Sequence, residues 1–132
     1  MIVEQMMNTN ILTLQPTHSI KDAINLLLEN KIRHLPITNK EGHVVGVLSD
    51  RDIKDATPSN LIDNQQHDIY ATPIEEIMTK NPLIGHPLDF VEEVATIFYD
   101  QKIGCLPIVS SGKLVGIITE TDLLYKYIEL VN

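Results

Sequence analysis

The sequence holds one cysteine, no tryptophan, two phenylalanines and four tyrosines in 132 residues. The lone Cys105 has no intramolecular partner. A disulfide framework is therefore excluded, and a reducing cytoplasm is the expected setting. No apolar run reaches the ~18 residues that a membrane-spanning helix needs. The first residues, Met-Ile-Val-Glu-Gln-Met-Met, lack the basic n-region and small-residue cleavage site of a secretory signal. Bases are also scarce, 10 against 18 acids, for a net charge of −8. That balance repels nucleic acid and anionic membranes as partners. It does not exclude a small anion, which needs only a few amides and one or two cations. The five histidines, at 18, 34, 43, 67 and 86, form no ligand pair at helical or hairpin spacing, so no metal site is expected. No nucleophile–base pair or Gly-rich phosphate loop appears, so no catalytic residues and no required cofactor are expected. The paired acids Glu75-Glu76 and Glu92-Glu93 fall where helices begin, and there acids favour the dipole.

What is present is an internal repeat. The second half copies the first at an offset of 71 residues: Val3-Glu4-Gln5-Met6-Met7 lies over Ile74-Glu75-Glu76-Ile77-Met78, Pro16 over Pro87, and Lys31-Ile32 over Lys102-Ile103. Leu35-Pro36-Ile37 lies over Leu106-Pro107-Ile108 in the same way. One deletion then shifts the offset to 70, placing Gly42, Val45, Gly46 and Asp52 over Gly112, Val115, Gly116 and Asp122. A fixed period of this kind has to be read before anything else, because it determines the architecture.

The apolar spacing repeats too. Ile20, Ala23, Ile24 and Leu27, and again Val91, Val94, Ala95 and Phe98, mark one face of a helix. Ser19 with Asp22 has the spacing of a cap for the first helix. Short strands are expected at Ile11 to Leu14 and Leu83 to Ile84, then at Leu35 to Thr38 and Leu106 to Val109. Hairpin loops at 39–42 and 110–112 lead to returning strands at 43–49 and 113–119. Helices follow over about 50–56 and 120–131. Proline inside the Leu-Pro-Ile strands predicts a strand start or edge, where its missing N–H costs least.

Each half thus reads strand-helix-strand-strand-helix, an α/β (α+β) class. The crossover helix favours a parallel pair with the third strand added as a hairpin. Either half alone is marginal in size. Packing the two repeats face to face, with pseudo-two-fold symmetry, would bury the apolar side each leaves open. The expected boundaries are 1–57 for the first repeat, 58–73 for a polar linker and 74–132 for the second. Thr72-Pro73 with Glu75 and Glu76 should restart a helix.

One motif could carry chemistry. Gly46-Val-Leu-Ser49-Asp-Arg-Asp52 and Gly116-Ile-Ile-Thr119-Glu-Thr-Asp122 both read Gly, two apolar residues, a hydroxyl residue, two variable residues, Asp. At a strand-to-helix join the hydroxyl can bond a phosphate or sugar oxygen. The two carboxylate oxygens match adjacent ribose hydroxyls through charge-assisted bonds, and Gly permits close backbone approach. The same Ser/Thr-x-x-Asp is also an ordinary capping box, and Ser19-x-x-Asp22 shows it where no ligand is expected. Recurrence in register in both halves is what favours a site. Arg33 and His34 carry two readings, phosphate contact or an interface pair. Cys105, at the position of His34, reads as a small buried hydrophobe. Met6, Met7 and Met78 read as packing residues. Arg51 and Lys54 lie in the first motif, and the second has no cation before Lys126.

With these motifs the chain resembles the CBS domain family, whose tandem pairs are known as Bateman modules. The Leu-Pro-Ile strands, the two Gly-to-Asp motifs and Ile77-Met78-Thr79 carry the resemblance over nearly the whole chain. His86-Pro-Leu-Asp-Phe-Val-Glu-Glu93 and Ile103-Gly-Cys-Leu-Pro107 resemble AcuB-like members, associated with acetoin utilisation. So do Met1-Ile-Val-Glu-Gln5, Ile32-Arg-His-Leu-Pro36 and Asp52-Ile-Lys-Asp-Ala-Thr-Pro58. Such members usually continue into an ACT-type domain. This chain ends at Asn132, so it is expected to be a shorter relative or part of a longer chain.

The resemblance implies a regulatory, non-catalytic module that binds AMP, ADP, ATP or S-adenosylmethionine between its repeats and reports to a regulated protein. It also implies a homodimer. It places Ser49, Asp52, Thr119 and Asp122 on ribose and phosphate, with Ile11, Thr13, Pro36, Leu83 and Pro107 near the base. The competing reading is a structural dimerisation module with empty pockets.

Overall fold

A computed structural model of the chain describes residues 1–57 and 68–132. The linker expected at 58–73 therefore falls, from 58 to 67, outside the described residues. The elements are α1 (Ile20–Asn30), β1 (His34–Thr38), β2 (Val44–Ser49), α2 (Asp50–Ala56), β3 (Thr79–Lys80), α3 (Val91–Gln101), β4 (Cys105–Ser110), β5 (Lys113–Thr119) and α4 (Glu120–Val131). They form two compact units whose borders do not follow the sequence repeat. One is contiguous, Leu12–Pro82. The other is split, joining Met1–Ile11 to Leu83–Asn132.

In the contiguous unit, Ser19 caps α1 and Lys31 ends it in the left-handed conformation, φ 54°. The face predicted from spacing is the one that packs: Ile20, Ala23 and Leu27 are buried with Leu35, Ile37, Leu48, Ile53 and Ile74, and Ile24 is half-buried beside them. β1 and β2 form an antiparallel hairpin, and the two-residue β3 adds to β2 through Gly46 and Val47. The strand expected at Ile11 to Leu14 is reduced to a single parallel bridge from Leu14 to Ile37, closed by the Thr38 N–H on the Leu14 carbonyl at 3.0 Å. Immediately after it the chain turns, the His18 N–H bonding the Gln15 carbonyl at 3.0 Å, so no second ladder bond forms. The helix expected after Thr72-Pro73 is a single 3-10 turn, Ile74–Glu76. Its start is tied to this unit by the Ile74 and Glu75 N–H groups, which bond the His18 and Pro16 carbonyls.

The split unit repeats the plan. Val94 and Phe98 of α3 are buried with Leu106, Ile108 and Ile118, Val91 is half-buried, and Ala95 is exposed. The core is completed from the far end of the sequence by Val3, which is fully buried. Residues 1–4 are stitched in by the Val3 and Glu4 N–H groups on the Asp89 and Pro87 carbonyls, and by the Val91 N–H on the Met1 carbonyl. Lys102 ends α3 at φ 57°, as Lys31 ends α1. The first strand is again one parallel bridge, here Gly85 to Ile108 rather than at Leu83 or Ile84. β4 and β5 pair through a two-residue turn, Ser111-Gly112, with φ 51° and 79°. Both central residues are left-handed, the form whose twist matches the flanking strands.

Two shared details explain repeated residues. In each hairpin one residue of the returning strand, Val45 or Val115, is skipped in the pairing, which makes a bulge. In each unit the motif glycine makes room for a methionine. A β-carbon on Gly46 would lie 2.5 Å from the Met78 sulfur, and one on Gly116 would overlap the Met7 sulfur. The sequence reading assigned glycine's close approach to a ligand, whereas methionine fills that space. No described helix is long and apolar enough to cross a membrane.

Candidate functional site

Each motif is built where a strand runs straight into a helix. Ser49 ends β2 in extended conformation, φ −113° and ψ 162°, and caps α2. Its Oγ accepts the Asp52 N–H at 3.0 Å, and the Asp52 Oδ2 accepts the Ser49 N–H at 2.9 Å. Thr119, φ −118° and ψ 165°, does the same for α4. Its Oγ1 accepts the Asp122 N–H at 3.3 Å, and the Asp122 Oδ2 accepts the Thr119 N–H at 2.9 Å. Ser19 and Asp22 make the identical reciprocal pair at 3.1 and 3.0 Å. The capping role is thus common to all three positions.

Surroundings separate the two motifs from that plain cap. Asp22 is exposed, whereas Asp52 and Asp122 are half-buried. Within the described residues no hydrogen bond occupies the second carboxylate oxygen, Oδ1, of Asp52 or Asp122. Capping therefore engages one oxygen and leaves the other available. Each motif also faces one residue of the partner strand in register, His34 opposite Ser49 and Cys105 opposite Thr119.

The contiguous unit brings several of the predicted residues together. The Arg33 carbonyl accepts the Asp50 N–H at 2.9 Å, and Arg33 Nε bonds Asp50 Oδ2 at 3.3 Å. Arg51 follows as the second residue of α2 and is exposed, and His34, half-buried, opens β1. Pro36 is buried, two residues further along β1. Asp50, which holds Arg33, was not singled out from the sequence. Its spacing from Arg33 becomes meaningful only once the β1–β2 hairpin closes.

The split unit keeps the backbone and changes the side chains. There the Gly104 carbonyl accepts the Glu120 N–H at 3.1 Å, so glycine stands where Arg33 stands. Cys105 is buried, and its thiol is pushed up to about 12 by that burial, with the Asp122 charge adding to the effect. Pro107 is buried in β4, and its carbonyl accepts the Gly85 N–H at 2.8 Å. Leu83 is exposed. Ile11, half-buried, belongs to the split unit, and Thr13, exposed, to the contiguous one, so these two lie in different units. Among the described residues no cluster of His, Cys, Asp or Glu could hold a metal ion.

Comparisons with known proteins agree on the fold. A chain described as a candidate acetoin utilization protein (AcuB) from Vibrio cholerae is 34% identical, with a TM-score of 0.85 over 99% of this chain and 93% of that one. The CBS domain pair of protein MJ0100, solved with 5′-methylthioadenosine and S-adenosyl-L-methionine, is 29% identical, with a TM-score of 0.85 over 98% of each chain. CBSX2, solved in complex with AMP, is 27% identical, with a TM-score of 0.83 over 99% of this chain and 98% of that one. Several curated relatives are much longer. The chain spans 23% of an Aquifex aeolicus inosine-5′-monophosphate dehydrogenase, to which it is 32% identical over 123 residues. Residues 3–59 and 74–129 each match the CBS domain model, and the chain therefore belongs to the CBS domain family as a tandem pair.

Proposed function

We propose that this chain is a ligand-sensing regulatory module that binds an adenosyl ligand through its two hydroxyl-x-x-Asp motifs and acts by binding rather than by catalysis. The observation that carries the reading is the half-used carboxylate. Asp52 and Asp122, both half-buried, each cap a helix with one oxygen and keep the second for a ribose hydroxyl. Ser49 and Thr119 stand beside them for a sugar or phosphate oxygen. Arg33, His34 and Arg51 are the candidates for phosphate, and Ile11, Thr13, Pro36, Leu83 and Pro107 for the base. The AMP held by CBSX2 and the S-adenosyl-L-methionine and 5′-methylthioadenosine held by MJ0100 support the ligand class. The AcuB likeness supports a link to acetoin utilisation, and the reading places the module in the cytoplasm, reporting to a regulated protein. To regulate, the ligand must bind two states of the protein with different affinity. The repeats are assigned to 1–57 and 74–132.

One observation favours a second reading, a dimerisation module without ligand. The same reciprocal cap occurs at Ser19 and Asp22, where no ligand is expected. A thermal-shift panel of AMP, ADP, ATP, S-adenosylmethionine and 5′-methylthioadenosine separates the two. Binding to the native state raises the melting point, by about 2.7 kcal/mol of stability at a hundredfold excess over Kd. A melting point unmoved by every member of the panel would leave only the second reading.

A further inference from the structure

The two motifs share one backbone and differ in charge, and that difference bears on which ligand each takes. The strand-to-helix join is held identically in both units: the carbonyl before the facing strand accepts the first helical N–H, Arg33 from Asp50 and Gly104 from Glu120. What differs is what the join carries. The first motif's surroundings in sequence carry three cations, Arg33 just before β1 and Arg51 and Lys54 on α2. Asp50 is held by Arg33, and neither Arg51 nor Lys54 forms an ion pair among the described residues. Beside Thr119 the corresponding positions are Gly104, Thr121 and Leu124, and the charged neighbours are the acids Glu120 and Asp122. The residue facing the hydroxyl follows the same division. It is the titratable His34 at Ser49, and the buried Cys105 at Thr119, kept as a neutral thiol by its desolvated position.

From this asymmetry we propose that the motifs are chemically specialised. The Ser49–Asp52 motif takes a phosphorylated adenosine. The Thr119–Asp122 motif takes an adenosyl ligand without phosphate, with a cationic one favoured. The inference rests on the adenosyl-binding reading above and names the ligand class of each motif. Asp52 and Asp122 read ribose in both, so they do not discriminate. Discrimination lies in the next layer: guanidinium groups attract phosphate oxygens, preferably in bidentate fashion, whereas the carboxylate of Glu120, with no arginine to balance it as Arg33 balances Asp50, repels them and favours a positive sulfur centre.

Calorimetric titration of the full chain tests this with ATP, 5′-methylthioadenosine and S-adenosylmethionine as probes. Paired removal of cations, Arg33→Gln with Arg51→Gln, should weaken ATP about tenfold or more, as expected for charge-assisted contacts. It should leave 5′-methylthioadenosine within about twofold. Added salt should weaken ATP and spare 5′-methylthioadenosine. The reverse variant, Gly104→Arg with Thr121→Arg, should tighten ATP at the split unit and raise its stoichiometry, while weakening S-adenosylmethionine. Because this variant gains binding, a folding defect cannot imitate it. Equal losses for all three probes on removing Arg33 and Arg51, or unchanged ligand preference in the arginine-bearing variant, would overturn the specialisation while leaving adenosyl binding intact. No binding of any probe to the wild-type chain would overturn both readings together.

Discussion

At the scale of single residues, the repeated Gly46 and Gly116 are explained by sulfur, not by a ligand. Met78 and Met7 lie against them, and the two contacts differ in stiffness. At Gly46 the nearest atoms are the methionine sulfur, Cε and Cγ, which can swing away. At Gly116 the contact extends past Cγ at 2.8 Å to Cβ at 3.2 Å, and Cβ is fixed by the backbone. Gly116→Ala should therefore destabilise more than Gly46→Ala, within the ~1–3 kcal/mol typical of overpacking. Chemical denaturation of both variants, and of each with its methionine cut to alanine, checks this. A loss that Met7→Ala does not relieve would remove the explanation. The recurrence of Gly and Met was legible in the sequence, but their pairing was not. Met7 is joined to Gly116 across 109 positions, and no local pattern encodes such a contact. Cys105 makes a second residue-scale prediction. Burial, and then the Asp122 charge, push its thiol up to about 12 in the folded chain, from an ordinary 9.0. Below the ordinary value the thiol is protonated in both states and its stabilising contribution is complete. As pH rises from 9.0 toward about 12 the unfolded chain loses the proton first, so stability should fall across that window. Cys105→Ala should flatten that part of the stability–pH curve. A thiol reagent should label native protein only as fast as the protein opens.

At the scale of elements, the helices were the most legible parts, because a period of 3.6 and a cap are both local signals. The ends at 50–56 and 120–131 agree with the expected ranges, since Ser49 and Thr119 stop the strand and start the helix in one residue. The first strands were less legible. A chain that makes one parallel bridge and then turns carries the same β-branched residues as a longer strand would, and only the partner's length distinguishes them. The repeat also breaks at one cap. Phe90 stands where Ser19 stands, and α3 begins without a side-chain cap although Glu93 occupies the third helical position. Phe90→Ser should complete the reciprocal pair with Glu93 and stabilise α3 by about 0.5–1 kcal/mol, a gain readable as a raised denaturation midpoint. Ser19→Ala should cost about as much on α1. Asp22, whose carboxyl is held below its ordinary range chiefly by the Ser19 backbone N–H and then by the hydroxyl, adds stability at neutral pH. That contribution should fade as pH falls through its depressed range.

At the scale of the whole molecule, the sequence repeat and the physical units are offset. Residues 68–82 run from the linker into the start of the second repeat yet close the contiguous unit, where Ile74 is fully buried and the Ile20 N–H bonds the Thr72 carbonyl. Met1–Ile11 does the corresponding job for the split unit, with Val3 buried and the Asn8 N–H bonding Ile117 at 2.9 Å. A repeat searched for in the sequence finds the copies; it cannot find which copy of the closing segment completes which core, because both copies have the same pattern. The consequence is an unequal dependence on the ends of the chain. Removing residues 1–10 deletes the Val3 side chain from a core of six buried residues, together with the Asn8 pairing to β5 and the three hydrogen bonds that join Met1, Val3 and Glu4 to Val91, Asp89 and Pro87 at the start of α3. A buried Val alone contributes about 1.5–3 kcal/mol, so the split unit should lose most of its stability and the contiguous unit almost none. Amide exchange resolves the two. Protection in α3, β4 and β5 should collapse in the shortened chain, while α1, β1 and β2 keep theirs. Adding a synthetic peptide of residues 1–11 should restore protection to the split unit in a concentration-dependent way. Uniform loss of protection across both units would show instead that the two fold as one cooperative body and that the arm's contribution is shared between them.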